Sequence, residues 1–213
     1  MKASLMNYYF IAIVEGETEV DCIHGLVERI WREMLKRIDL PIFLTPFRSK
    51  RDQVLAVNSS NLGDIVEKAF LKLQRRQGSD PESCSIVLIL LDAEEDCPAT
   101  LAPQMLTVAR TARSDANVVC VMPKRSIENW IVAGAVSLAG INGLPQKLSH
   151  PVNVEDCSGV AWVNKQLRSA KQTRGYKKTQ DAKIFFQSID LIECRRNSPS
   201  FDKLCRELEK WTQ

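Results

Sequence analysis

Two runs of consecutive apolar residues constrain the fold of this chain more than any other feature. Residues 8–14 (YYFIAIV) and 86–91 (IVLILL) carry no charged side chain and are rich in β-branched and aromatic residues. Strands that are apolar at every position are typical of parallel sheets buried on both faces. The second run is the most apolar in the chain, so we expect it at the centre of the sheet.

Helix-like and strand-like segments alternate along the first part of the chain. An N-cap at Thr18 and apolar residues at helical spacing up to Ile38 predict one long helix after the first strand. Further segments follow in the order strand 42–47, helix 61–75, strand 86–91, helix 99–113, strand 117–122 and a helix from about residue 127. The alternation predicts an α/β fold with a mostly parallel sheet flanked by helices.

The composition and the pattern of predicted elements change after residue 140. Residues 140–150 are punctuated by Gly, Pro, Asn and Ser, and three helix-like segments follow at 158–169, 181–194 and 200–211. We therefore predict an α/β domain over residues 1–140 and a helical C-terminal extension over 141–213 that packs on it.

Composition limits the class of protein. The 213 residues are 45% hydrophobic and 26% charged, as in ordinary globular proteins. No apolar stretch approaches the roughly 18 residues that a membrane span needs, and no secretory signal is evident. The seven cysteines have no C-x-x-C spacing and two histidines lack zinc-ligand spacing, which favours reduced, mostly buried thiols. We expect a cytoplasmic protein without a membrane association.

Positive charge is unevenly distributed. The net charge of +3 does not by itself indicate nucleic-acid binding. However, residues 157–180 contain six basic and no acidic residues, and a second basic segment (RSKR) occupies residues 48–51. Basic flanks around an acidic centre favour a metal-dependent enzyme that acts on a polyanion. The alternative for each basic residue is a solvated helix face or a polar loop.

An acidic turn follows each apolar run. Glu15 follows the first run, and Asp92, Glu94 and Asp96 follow the second. Glu128 follows the 117–122 strand after a short loop. Because ligands bind beyond the carboxyl ends of parallel strands, these carboxylates are expected at one edge of the sheet. Carboxylate oxygens suit Mg²⁺, so the pattern predicts a hard-cation site.

Several acidic residues have an alternative interpretation. For Glu17 and Glu19 we favour a stabilising position at a helix N-terminus, where negative charge interacts well with the helix dipole. Asp96 fits an N-cap as well as it fits a metal ligand. Glu95 is expected to be solvated.

The motifs VEGETE, LLDAEED and IENW, in this order, resemble a Toprim domain as found in topoisomerases, primases and OLD-type nucleases. With YKKT (176–179) and NSPSF (197–201), the similarity extends over nearly the whole chain and resembles the DUF4276 family, a Toprim-like group often encoded beside ATPases in phage-defence loci. The resemblance implies a Toprim/Rossmann-like fold. One departure is Glu94, which stands where the Toprim pattern has a second aspartate.

The resemblance also implies Mg²⁺- or Mn²⁺-dependent hydrolysis of nucleic-acid phosphodiesters. Glu15 is then either a metal ligand or the general base that activates water. The implied catalytic residues are Glu15, Asp92, Glu94 and Glu128, and the implied metal ligands are Glu15, Asp92, Glu94 and Asp96. The residues expected to contact nucleic acid are Lys124, Arg125, Arg174, Lys177 and Lys178.

Two other functions remain open at this point. One is a catalytically weak Toprim-fold module that binds nucleic acid or docks an ATPase partner. The other is a small-molecule phosphohydrolase or nucleotidyl transferase that uses the same carboxylates. The sequence has no G-x-x-x-x-G-K-[ST] loop, so we expect any ATP hydrolysis to come from an AAA- or ABC-type partner.

Overall fold

A parallel β-sheet forms the centre of the computed structural model, which describes residues 6–55, 61–172 and 174–211. The strands are β1 (Asn7–Val14), β2 (Ile42–Phe43), β3 (Phe47–Arg48), β4 (Ser83–Leu90) and β5 (Asn117–Val121). The neighbours β1 and β4 pair in parallel along their whole length, so their carboxyl ends lie side by side. The apolar runs therefore predicted these two strands, and the 86–91 run lies in an inner strand, as expected.

The edge of the sheet beyond β1 is formed by two short strands. The spatial order is β2-β1-β4-β5, and β3 also pairs with β1. Strand β2 pairs with β1 at Tyr9 and β3 pairs with it at Ile13. The sequence predicted one strand over residues 42–47. Pro46 interrupts it because proline has no N–H for the ladder.

Helices cover both faces of the sheet. They are α1 (Glu17–Arg29), α2 (Arg51–Leu55), α3 (Asn61–Gln77), α4 (Pro98–Ala112), α5 (Glu128–Ala133), α6 (Gly159–Ser169), α7 (Lys178–Ser188), α8 (Leu191–Asn197) and α9 (Pro199–Lys210). Successive strand residues point to opposite faces. Ile11 and Ile13 pack with α3 and α4, whereas Phe10 and Ala12 pack with α1 and the C-terminal helices. The α/β prediction is confirmed, and none of these described helices has the length and apolar character to cross a membrane.

The C-terminal helices share a hydrophobic cluster with the sheet. Phe185 of α7 and Phe201 of α9 are fully buried in the same cluster as Phe10 of β1. The Trp130 ring meets the Phe201 ring edge to face, with 5.4 Å between centroids. The start of α7 thereby reaches the carboxyl edge of the sheet, where the acidic turns lie.

Two helix predictions differ from the structure in their ends. The predicted N-cap at Thr18 was also wrong, because the first helix begins at Glu17 after Gly16 and Thr18 is buried inside it. This helix continues as a π-helical turn over Ile30–Met34 and stops at Lys36, whose φ of 55° is left-handed. Ile38 lies beyond this stop and is 88% exposed. The helix predicted over 181–194 is divided into α7 and α8, because the Asp190 carboxylate caps a new helix.

Candidate metal centre

Acidic side chains gather at the carboxyl ends of β1 and β4, the edge of the sheet at which the sequence placed them. A cleft of about 390 Å³ opens there between the β1–α1 turn, the β4–α4 loop and the start of α7. A larger hollow of about 530 Å³ lies between the first turns of α4 and α9 and contains none of these strand-end acids. Chemistry rather than size therefore identifies the site, and strand carboxyl ends are where α/β proteins bind ligands.

Three carboxylates, Glu19, Asp92 and Glu128, form the inner part of the site and are here called the carboxylate cluster. Glu128 is fully buried and Glu19 is 7% exposed. Asp92 and Glu19 also line the cleft, and Asp92 Oδ1 accepts a 2.9 Å hydrogen bond from the Ile127 amide. The carboxyl end of β4 and the approach to α5 thus fix the Asp92 carboxylate.

The cluster perturbs the protonation of its own members. Burial raises the pKa of Asp92 well above its ordinary value, and the charges of Glu19 and Glu128 raise it further. Burial also raises the pKa of Glu19, opposed by its own backbone amide and reinforced by Glu128. Each shift means that the folded chain disfavours another negative charge at this place.

Lys178, the first residue of α7, brings a positive charge to the cluster. Its Nζ lies 3.0 Å from Glu128 Oε1, and its side chain is half exposed. Burial lowers the pKa of Lys178, but Glu128, Asp92 and Glu19 outweigh burial and raise it. Glu19 Oε2 and Glu128 Oε2 have no hydrogen-bond partner among the described residues. Three carboxylates thus face one ammonium.

A buried aspartate holds the start of α7 in place. Asp181 accepts hydrogen bonds from Arg174 at 2.7 and 2.8 Å, from Asn142 at 2.9 Å and from the Lys177 amide at 2.8 Å. Burial raises the pKa of Asp181, but these donors together lower it below its ordinary value. Arg174, which the sequence assigned to nucleic acid, is therefore engaged in positioning the turn that carries Lys178.

Glu15 and Glu94 lie at the mouth of the cleft. Burial and the charge of Glu94 raise the pKa of Glu15, while the Arg51 amide and guanidinium oppose this rise. Glu94 is exposed and has a left-handed φ of 55°. Asp96 pairs with Arg51 and does not line the cleft. The structure thus brings Glu15 and Glu94 to the cleft beside Asp92, and it places Asp96 elsewhere.

The remaining predicted nucleic-acid contacts lie outside the cleft. Lys124 pairs with Asp156, and Arg125 pairs with Glu95. Lys177 is exposed, and its ammonium forms no ion pair within residues 6–55, 61–172 and 174–211. Of the five predicted basic residues, Lys178 is the one that lines the cleft.

The donor atoms of the cluster fit a hard cation. All are carboxylate oxygens, which Mg²⁺ prefers. Three of them, Glu19 Oε2 and both oxygens of Glu128, are buried without a hydrogen-bond partner among the described residues, and Glu128 Oε1 has the ion pair with Lys178. In the described part of the chain, no three Asp, Glu, His or Cys side chains are arranged to ligate one ion. In this arrangement the Lys178 ammonium is the cation that Glu128 contacts.

Sequence reasoning missed two residues of the site. Glu19 was assigned to the helix N-terminus, yet it precedes the buried Ile23 and Leu26 by four and seven residues. It therefore lies on the apolar face of α1, and an acid on that face was the available signal. Arg51 contacts the loop around Asp92, and no local pattern links residues so far apart in sequence.

Comparison with known protein families gives one match. The family model described as Domain of unknown function (DUF4276) matches residues 14–209. This span contains the carboxylate cluster, Arg51 and Lys178. No curated protein matches the chain, and no solved structure matches it.

Proposed function

The chain belongs to the DUF4276 family, and we propose that it is a Mg²⁺- or Mn²⁺-dependent nuclease with a Toprim-like centre. The observation that carries this proposal is the excess of negative charge in the carboxylate cluster, at the carboxyl ends of two parallel strands. Buried charge without a partner is strongly unfavourable, so such a cluster favours a cationic ligand.

Different residues of the chain have different roles in the proposed reaction. Glu19, Asp92 and Glu128 would hold the ion, and Glu94 would approach it from the mouth of the cleft. When bound, the ion supplies Lewis-acid chemistry that polarises a phosphate and stabilises the leaving oxygen. Glu15 lines the mouth of the cleft and is the candidate acceptor of the proton from the attacking water.

Basic groups at the cleft favour a polyanionic substrate. Arg48 and Lys178 line the cleft and Lys177 adjoins it. Phosphate contacts of this kind position a nucleic-acid backbone without reading its sequence. The resemblance to proteins encoded beside ATPases extends the proposal to bacterial anti-phage defence with a partner ATPase.

A catalytically weak module that binds nucleic acid or docks the ATPase is the second candidate. It is favoured by the lack of three convergent ligands among the described residues and by the ion pair between Lys178 and Glu128. Glu94, the residue that departs from the Toprim pattern, is exposed rather than part of the cluster.

A cleavage assay separates the two candidates. Wild-type protein, Asp92→Asn and Glu128→Gln are incubated with plasmid DNA, single-stranded DNA and RNA in Mg²⁺ or Mn²⁺. Glu95→Gln is the matched control, because Glu95 is an acid of the same loop as Asp92 and its side chain is 86% exposed. The nuclease predicts cleavage by wild type and the control and its loss in the two cluster variants.

The opposite result supports the module. Wild-type protein that binds nucleic acid but cuts none of the substrates, with or without the ATPase, refutes the nuclease. A phosphomonoester assay with the same variants tests the small-molecule hydrolase.

A further inference from the structure

The basic segment at residues 48–51 braces the first acidic turn. Arg48 Nε donates to the Glu15 carbonyl at 3.2 Å, and its Nη1 donates to the Glu17 carboxylate at 2.8 Å. The Ser49 amide donates to the Val14 carbonyl at 2.9 Å. The segment is therefore attached to the carboxyl end of β1 and faces the cleft from the sheet edge.

Arg51, at the end of the same segment, holds the second acidic turn. Its Nε donates to the Asp92 carbonyl at 3.0 Å, and its Nη2 donates to the Ala93 carbonyl at 3.1 Å. The guanidinium also pairs with Asp96 and lies 3.7 Å from Glu94. The Arg51 side chain is 12% exposed. The planar guanidinium directs five N–H donors at several acceptors in a fixed geometry, whereas a lysine ammonium has three donors and no planar fork.

The loop over residues 92–96 needs such support. Glu94 has a left-handed backbone, which a residue other than glycine retains when surrounding contacts enforce it. Arg51 holds the backbone of Asp92, while the Ile127 amide holds its carboxylate. The two contacts act on opposite ends of the same residue and fix the direction of the carboxylate.

We propose that Arg51 is a positioning residue for the metal centre. It holds the 92–96 loop so that Asp92 joins Glu19 and Glu128, and it keeps Asp96 outside the cleft. This inference rests on the proposed function, because it assigns Arg51 a role in cation binding.

Positioning and simple electrostatics predict opposite effects for Arg51. Removal of a positive charge beside several carboxylates should tighten cation binding if charge alone matters. Loss of a residue that orients a ligand should weaken it, and such losses are typically about tenfold or more in metal affinity. The direction of the change therefore identifies the role.

Calorimetric titration of the full chain with Mn²⁺ tests the inference. We expect Arg51→Gln to weaken Mn²⁺ binding about tenfold and Arg51→Lys to restore part of the loss. Lys50→Gln is the matched control, because it removes the same charge from an adjacent exposed residue without a side-chain partner in the described segments. Thermal melting of each variant without metal reports folding separately, and Arg51→Lys serves for the affinity measurement if Arg51→Gln does not fold.

The outcomes are distinct. Wild-type protein that does not bind Mn²⁺ overturns the metal centre itself and with it this role. Wild-type binding with equal or tighter binding by both Arg51 variants overturns the positioning role and leaves the metal centre standing. A lower melting temperature with unchanged Mn²⁺ affinity likewise overturns it, because Arg51 would then stabilise the fold alone.

Discussion

Replacement of Lys178 by methionine tests whether the carboxylate cluster depends on this ammonium. Methionine keeps an unbranched apolar stem and removes the charge that lies 3.0 Å from the fully buried Glu128. Removing one partner of a fully buried ion pair costs about 3–5 kcal/mol. Because the Lys178 side chain is half exposed, solvent screening reduces the expected loss to about 2 kcal/mol.

The loss is measurable by urea unfolding in the presence of EDTA. For a chain of this length, it corresponds to a fall of about 4–8 °C in melting temperature. Lys177→Met is the matched control, since the Lys177 side chain is exposed and has no ion pair in the part of the chain that the structure describes. We expect the control to stay within about 0.5 kcal/mol of wild type.

Mn²⁺ should reverse the effect of the substitution. Without the ammonium, a divalent cation no longer competes with it for Glu128, and we expect binding to tighten about tenfold, or about 1.4 kcal/mol. At a fixed Mn²⁺ concentration, Mn²⁺ then stabilises Lys178→Met by more than it stabilises wild type. Equal stability of Lys178→Met and wild type in EDTA would refute the reasoning. An equal gain in stability from Mn²⁺ in Lys178→Met and in wild type would also refute it.

Three further predictions concern the same site. Asp92→Asn keeps an acceptor for the Ile127 amide but removes a disfavoured charge, so it should raise stability in EDTA by about 1 kcal/mol and abolish stabilisation by Mn²⁺. Because Asp92 and Glu19 have raised pKa values, the folded chain binds their protons more tightly than the unfolded chain does. Stability without metal should therefore fall as pH rises from the ordinary carboxyl range through the raised pKa values, a trend that urea unfolding across pH measures and that a rising stability would contradict. Gly159→Ala places a Cβ 2.6 Å from the Glu128 carbonyl carbon, so thermal melting should report a loss of about 1–3 kcal/mol, and an unchanged melting temperature would argue against this close contact.

The sequence predicted the frame of the site because that frame depends on local patterns. The apolar runs predicted β1 and β4, and the parallel sheet put the residues that follow them, Glu15 and Asp92, at the same edge; the pairing of β1 with β4 makes these strand ends adjacent. Glu128 was expected near the same edge for the same reason, whereas its full burial was not predicted. These inferences needed only hydrophobic periodicity and the geometry of parallel sheets.

The partners of these acids could not be predicted in this way. Lys178 was expected to contact nucleic acid, and its pairing with Glu128 depends on how α7 packs against α1 and α5. Arg51 reaches the Asp92 loop because β3 pairs with the end of β1. Both contacts join segments that are more than 40 residues apart in the chain. Side-chain pairing over such distances follows from tertiary packing, for which one sequence has no periodic signal.

Another buried acid of the same chain supports the proposal that the carboxylate cluster binds a cation. Asp181 is 1% exposed, and four hydrogen bonds, two of them from Arg174, lower its pKa. Glu128 is at least as buried, yet its Oε2 has no hydrogen-bond partner within the described residues, and the pKa of the adjacent Asp92 is raised. Asp181 thus has four hydrogen bonds, whereas the three carboxylates of the cluster have one ammonium among them, besides the Ile127 amide that donates to Asp92. Since unpaired buried charge is destabilising, a cation bound at such a group would add more to the stability of the fold than one bound at a carboxylate that is already paired.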